Sequence, residues 1–240
     1  MTSSGSRASV VLLSSGLDST VNLYEAREKS RVVLALTFNY GQRAAAKEIE
    51  RAEQIARLAG IPHKVLDLTW FSEFTKTSLV NHSTDVPTGA SVSIDDLAVS
   101  NETAKAVWVP NRNGIFLNIG AAFAEGLGAS MIIPGFNIEE GTTFPDNTQG
   151  FLTALSAAFV YSTSNHVEAV CFTTALDKTE IVRRGRTLGA PFHLMWPCYF
   201  AGAEPCGECE SCKRFRRAVS AVDASEASVA LSSSSKGGPS

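Results

Sequence analysis

The chain has 240 residues, 44% of them hydrophobic, enough for one substantial core with a small appendage. Its formal net charge of −3 and pI near 5.8 argue against broad nucleic-acid binding, and its apolar runs stop short of the roughly 18–20 residues that span a bilayer. Met1 to Ser9 lack the apolar stretch of a secretory signal, and five cysteines without an export signal point to a reducing, cytoplasmic setting where thiols bind metal or react.

Val10–Leu13 reads as a short buried strand. The loop Ser14-Ser15-Gly16-Leu17-Asp18-Ser19 follows, then a helix over Ser19–Lys29 with Ser19 or Asp18 as N-cap. Strand, small-residue turn and helix in that order build a phosphate cradle, because the N–H groups of the turn and the positive end of the helix dipole converge. The loop has neither the lysine of a Walker A motif nor the three glycines of a dinucleotide fold.

Val32–Phe38 is a second strand. Ala44–Ala59 is a helix with Ile49, Ala52, Ile55, Ala56 and Ala59 along one face, stopped by Gly60-Ile61-Pro62. His63–Leu68 is a third strand. Phe74–Ala98, rich in Ser, Thr, Asp and Gly, reads as a long surface excursion. The elements then run Asn113–Leu127 (helix, Asn113 as N-cap), Met131–Pro134 (strand), Asn147–Tyr161 (helix), Glu168–Thr174 (strand) and Lys178–Leu188 (helix). This alternation predicts an α/β fold with a doubly wound, mostly parallel sheet. Residues 197–217 break the pattern with four cysteines, and the Ala/Ser/Gly-rich chain from about Asp223 is expected to fray. The domain reading is therefore a flexible terminus (1–8), an α/β body (9–196), a metal-binding segment (197–222) and a disordered tail (223–240).

Four features carry chemistry. Cys198, Cys206, Cys209 and Cys212 offer four soft ligands within 15 residues, the set of a tetrahedral structural Zn²⁺ site, with an iron–sulfur cluster as its rival. Lys213, Arg214, Arg216 and Arg217 follow and are expected to offset thiolate charge, while Cys171 reads as a core residue in an apolar strand. Phe38-Asn39-Tyr40-Gly41-Gln42-Arg43 and Gly135-Phe136-Asn137 fall at carboxyl ends of strands, where doubly wound sheets gather ligands. Arg112, before a helix start, can pair with a carboxylate or phosphate. Lys178 opens a helix against its dipole, for which a bound phosphate would supply a reason. Taken singly, each also fits a polar turn or a solvated surface charge.

In this order the motifs resemble the 7-cyano-7-deazaguanine synthases, a branch of the PP-loop ATP pyrophosphatases in queuosine precursor synthesis. The resemblance runs from about Val10 to Arg217 and rests on Ser14–Ser19, Tyr40-Gly41-Gln42-Arg43, Val109–Asn113, Gly135-Phe136-Asn137, Pro145-Asp146, Lys178 and the cysteine array. Ser15 stands where the PP-loop has a glycine, and it fits there if its φ stays negative. The segment Glu140–Thr148 departs from the usual family pattern: Glu140 replaces an aspartate, and Asn147 and Thr148 replace a cysteine and an arginine.

The resemblance implies a PP-loop, Rossmann-like fold, ATP, Mg²⁺ and Zn²⁺ as cofactors, a homodimer, and a small-molecule acceptor with neither nucleic acid nor membrane as partner. The implied reaction is ATP-dependent C–N ligation that makes a nitrile from 7-carboxy-7-deazaguanine and ammonia. Ser14, Ser15, Gly16, Leu17, Asp18, Ser19, Phe38 and Lys178 are the expected ATP residues, with Asp18 near Mg²⁺. Tyr40, Gln42, Arg43, Arg112, Asn113, Asn137, Glu140 and Asp146 are the expected substrate residues, and Asp18, Ser19, Arg112 and Lys178 the expected catalytic ones. Three rivals remain at this stage: a PP-loop enzyme acting on a tRNA base, one joining a deazaguanine-type acid to another amine, and a zinc-knuckle nucleic-acid binder.

Overall fold

The computed structural model describes residues 7–94 and 105–234, with side chains to 228. A five-stranded parallel sheet has the order β3-β2-β1-β4-β5, from strands β1 Ala8–Leu12, β2 Arg31–Asn39, β3 His63–Asp67, β4 Met131–Ile133 and β5 Glu168–Ala169. The chain winds outward from β1 to β3, then restarts beside β1 with β4. The carboxyl ends of β1 and β4 therefore flank a topological switch point, where such sheets bind ligands.

Central strands of a parallel sheet are covered on both faces and read as continuous apolar runs. Alternate residues of β1 enter different cores. Val10 packs with Leu117 and Ala121 of α3 (Arg112–Gly126) and Leu152 of α5 (Gln149–Ser162). Val11 packs with Val21 of α1 (Leu17–Lys29), Ile55 of α2 (Ala45–Ala59), Ile181 of α6 (Lys178–Thr187) and Val222 of α7 (Glu210–Ser234). A four-residue helix, α4 (Ile138–Gly141), follows β4.

Several boundaries differ from the sequence reading. Helix α1 begins directly after the loop with the extended Gly16 as N-cap, not Ser19 or Asp18. The N-cap of α3 is Asn111 in the left-handed region (φ +51°), so Asn113 lies inside the helix. The last strand ends at Ala169 instead of Thr174, because the Phe172 N–H leaves the ladder and donates to Asn22 Oδ1 of α1 at 2.9 Å. The chain past Asp223 continues as helix to Ser234, and Arg186 pairs with both Asp223 and Glu226.

The long excursion is also more than surface. Leu79, Val80, Val86 and Val92 are buried, and the carbonyls of Ser78, Asn81 and Thr84 accept from Arg43. Its residues 95–98 lie outside the described ones. Among the described residues no helix is long and apolar enough to cross a membrane.

Candidate active site

Helix α1 starts at the switch point, and no side chain caps it. The first N–H groups of a helix have no intrahelical acceptor, so this start is suited to an anion. The loop before it is tied by short contacts. Ser19 Oγ accepts from Ser14 N at 3.2 Å, lies 3.1 Å from Ser14 Oγ, and donates to Gly16 O at 3.2 Å. Ser15 adopts φ +61°, contrary to the expectation of a negative φ, and its fully buried side chain donates to Ser14 O at 2.5 Å. At the end of β4, Gly135 lets the chain meet this loop: a Cβ there would lie 2.4 Å from Ser19 N.

Lys178 reaches the same place from α6. Its Nζ lies 2.8 Å from Asp18 Oδ2 and 2.8 Å from Glu140 Oε1. These carboxylates give the lysine at this helix start two partners within the protein itself. The helix itself is capped by Asp177 and Glu180, and the Lys178 N–H donates to Glu139 Oε1 at 2.9 Å. Despite burial, Asp18 and Glu140 hold the Lys178 ammonium well above its ordinary range. Burial pushes the Asp18 carboxyl up against the pull of Lys178; at Glu140 burial also pushes up, but Lys178, Asn137 and Arg214 together outweigh it and hold that carboxyl down.

Asp18 Oδ2 also accepts from Asn137 Nδ2 at 3.2 Å, whereas Asp18 Oδ1 is buried without a partner among the described residues. An orphaned carboxylate oxygen beside a helix start fits a hydrated divalent cation, which would also favour the ionised Asp18. Asn137, fully buried, serves Asp18 and caps α4 through Glu140 N; it does not line the cavity.

A cavity of 280 Å³ joins these groups to a second cluster. Arg112 donates to Tyr40 Oη and to Asn113 Oδ1, both at 3.3 Å, and its guanidinium lies over the Tyr40 ring. Burial lowers the Arg112 proton affinity, but Tyr40, Asp146 and Glu140 together raise it above its ordinary value. Phe38, Tyr40, Gln42, Arg112, Asn113, Glu140 and Asp146 all line this cavity with Ser14, Gly16, Leu17, Asp18, Ser19 and Lys178. Gln42 is fully engaged, accepting from Tyr40 N and donating to Phe38 O and Glu48 Oε2, so it supports the wall. Arg43 and Ser15 are not brought into the lining; Arg43 holds the 78–84 loop.

The family model for "Queuosine biosynthesis protein QueC" matches residues 8–223. The chain belongs to the QueC family. It is 60% identical over 203 residues to a 7-cyano-7-deazaguanine synthase of Bdellovibrio bacteriovorus, covering 84% of this chain and 88% of that protein. It is 52% identical over 202 residues to the synthase of Carboxydothermus hydrogenoformans, covering 84% and 93%. A solved 4-thiouridine synthetase with RNA and ATP aligns at a TM-score of 0.49 and 19% identity, covering 89% of this chain and 50% of that one.

In this QueC protein the sulfur atoms of Cys198, Cys206, Cys209 and Cys212 lie within 4.8 Å of one another, so the four residues can hold a metal ion. Backbone N–H groups of Phe200 and Cys206 donate to Cys198 Sγ, and that of Cys209 to Cys206 Sγ, at 3.3–3.4 Å. The neighbouring Cys209 and Cys212 thiols, helped by those backbone donors, hold the Cys198 thiol far below its ordinary range. The basic residues that follow serve mostly elsewhere. Lys213 donates to Gly89 O and Val92 O, Arg214 pairs with Glu139 and Glu210, and Arg217 pairs with Glu139. Arg216 does pack against the cysteine loop at Gly207. Cys171 is half-buried beyond the end of β5 and bonded around Phe136, not within a strand.

Several lining residues escaped sequence reasoning. Glu48 on α2 accepts from Gln42 at 2.8 Å, and burial pushes its carboxyl up to about 7. Its position six residues after Gln42 was the available signal. Trp108 and Phe144 flank motifs that were singled out, and Tyr199 follows the first cysteine.

Proposed function

We propose that this QueC protein converts 7-carboxy-7-deazaguanine and ammonia to 7-cyano-7-deazaguanine at the expense of ATP. The observation that carries the reading is one cavity that joins an uncapped helix start, a buried lysine–carboxylate cluster and the partly buried Arg112. The family assignment supports the product.

A carboxylate is a poor electrophile. Attack of its oxygen on the α-phosphorus of ATP expels pyrophosphate and leaves an acyl adenylate; ammonia then displaces AMP and, after losing a proton, gives the amide. Attack of the amide oxygen on a second ATP, again with loss of pyrophosphate, makes an imidate whose collapse to the nitrile releases AMP and a proton. In both halves the protein's contribution is placement and charge neutralisation.

The N–H groups at the start of α1, with Ser14 and Ser19, receive the leaving pyrophosphate, and Lys178, fixed by Asp18 and Glu140, sets the charge beside it. A divalent metal held near Asp18 Oδ1 would add positive charge there. Arg112 faces the reacting carboxylate. Asp146 reads the amino and ring N–H donors of the base, because a carboxylate accepts paired donors. Glu140, spent on Lys178, belongs with the phosphate end and not the base. The cysteine array is read as a structural zinc site, since four thiolates leave no coordination position for chemistry.

Incubation with ATP, ammonium and the acid, followed by mass analysis, tests this: amide, nitrile and AMP are expected, and ADP or an unaltered acid would overturn it. Asp18→Asn is expected to lower ATP cleavage by about 10²-fold or more while near-native circular dichroism persists.

A further inference from the structure

Two near-parallel aromatic rings in the cavity have no role in that chemistry. Trp108, just before α3, and Phe144, in the turn after α4, are half-buried and both line the cavity. Their planes differ by 11° with centroids 5.9 Å apart. The other parallel pair in the cavity, Phe38 on Phe116 at 4.1 Å, is of a different kind. It continues into Tyr40 and the fully buried Phe71, so it is anchored in the core.

The Trp108–Phe144 pair stands among the groups assigned to the acceptor. Trp108 precedes Arg112 by one turn of chain, and Phe144 precedes Asp146 by two residues. Arg112 and Asp146 are close enough that each shifts the other's proton affinity. The turn is held rigid where it matters: Phe144 N donates to Glu140 O at 2.8 Å, and Phe144 O accepts from Asn147 N at 2.9 Å. Asn147 in turn donates to Asp146 Oδ1 at 3.0 Å. Two near-parallel aromatic rings, a cation and a carboxylate acceptor thus sit on one frame.

We propose that Trp108 and Phe144 form the stacking platform for the planar fused ring of the acceptor. A purine-like bicycle has two π faces and few apolar edges, so stacking supplies its affinity while edge contacts supply its orientation. The platform selects flat heteroaromatic acids and discriminates against carboxylates on saturated rings. It rests on the reading that this cavity takes a deazaguanine-type acid.

The test is steady-state kinetics of Trp108→Ala, Trp108→Phe and Phe144→Leu on the full chain. Trp108→Ala is expected to raise KM for the acid about tenfold, with KM for ATP unchanged, and Trp108→Phe to restore most of the loss. Unchanged KM for the acid, or equal rises in both KM values, would overturn the platform. Should Trp108→Ala not fold, fluorescence decides. With a non-hydrolysable ATP analogue saturating the nucleotide site, 7-deazaguanine, which has the ring but no carboxyl, is expected to quench the wild type more strongly than Trp108→Phe, which keeps Trp196 in the cavity wall; equal quenching would overturn the proposal. Turnover of the acid with an unaltered KM in Trp108→Ala would sink the platform and leave the activity standing. Ring-dependent quenching without turnover would do the reverse.

Discussion

Ser15 occupies backbone territory that suits glycine, at φ +61° and fully buried between the loop and the Trp196 N–H, which donates to its carbonyl. A left-handed residue with a Cβ costs about 1–2 kcal/mol, of which a glycine's greater freedom in the unfolded chain cancels a part. Ser15→Gly is therefore expected to stabilise the ligand-free protein by about 1 kcal/mol, a rise of about 3 °C in Tm. A fall in Tm would show that the Ser15–Ser14 hydrogen bond outweighs the strain. Glu48 is a second case in which residue type alone is uninformative. Its carboxyl titrates up to about 7 instead of 4.5 because burial disfavours the charge, while Gln42 and Arg112 pull the other way and Tyr40 faces it. A raised carboxyl binds its proton more tightly in the folded state. The stability it confers is whole below pH 4.5 and lost as pH rises through 7. Urea unfolding of Glu48→Gln, which cannot ionise, should gain on the wild type by about 2 kcal/mol between pH 5 and pH 8, after allowance for partial exposure; a constant gap would refute the shift.

Among the elements, the joint between α1 and α6 is made by a pair that no pattern announces. Glu25 is 2% exposed, and Arg184 meets both its oxygens at 2.5 Å, with Lys29 at 2.7 Å from Oε1. Hydrogen bonds from Arg184, more than burial opposes, hold the Glu25 carboxyl below its ordinary range. Arg184→Ala leaves that carboxylate with Lys29 alone and should cost about 2 kcal/mol in denaturant unfolding, less than a fully buried pair because Arg184 is partly exposed. Glu25→Gln in the same background should recover part of it, and no recovery would place the loss in packing. Glu25 reads in sequence as an ordinary charged helix residue; its partner is 159 positions away. The strands and helices themselves were legible, because a buried parallel sheet writes apolar runs and its helices write stripes. The ends were not. Asn22 capturing Phe172 N and Arg186 pairing with α7 are tertiary contacts that override local signals, and the left-handed Asn111 at the start of α3 is a backbone turn that residue type does not announce.

At the scale of the molecule, the cavity is assembled from stretches that meet only after folding: the end of β1 with the α1 loop, residues 36–48, Leu79, residues 107–116, residues 134–147, Lys178 and residues 196–215. The motifs were legible as separate pieces, and their convergence followed from the strand-end rule. Which side chains face the cavity was not legible, so Arg43 and Asn137 read as ligands while Glu48, Trp108 and Phe144 went unnoticed. The cysteine array is itself part of the wall. Trp196, Cys198, Tyr199, Glu210 and Arg214 line the cavity, and Thr88 bridges to Cys209 so that the 88–92 loop is pinned to the same segment. If a metal holds the four thiolates, removing it frees a wall of the cavity while the two cores flanking the sheet keep their packing. Cys209→Ser, or stripping with a chelator, is then expected to lower Tm, reduce activity by about 10–100-fold, and open the 77–94 loop to protease, with most helical circular dichroism retained. Metal content measured on the same samples links the losses. Cys171→Ser, outside the array, should keep its metal. A Cys209→Ser protein without metal that retains full turnover and an uncut loop would show that the segment folds on its cysteine core and hydrogen bonds alone.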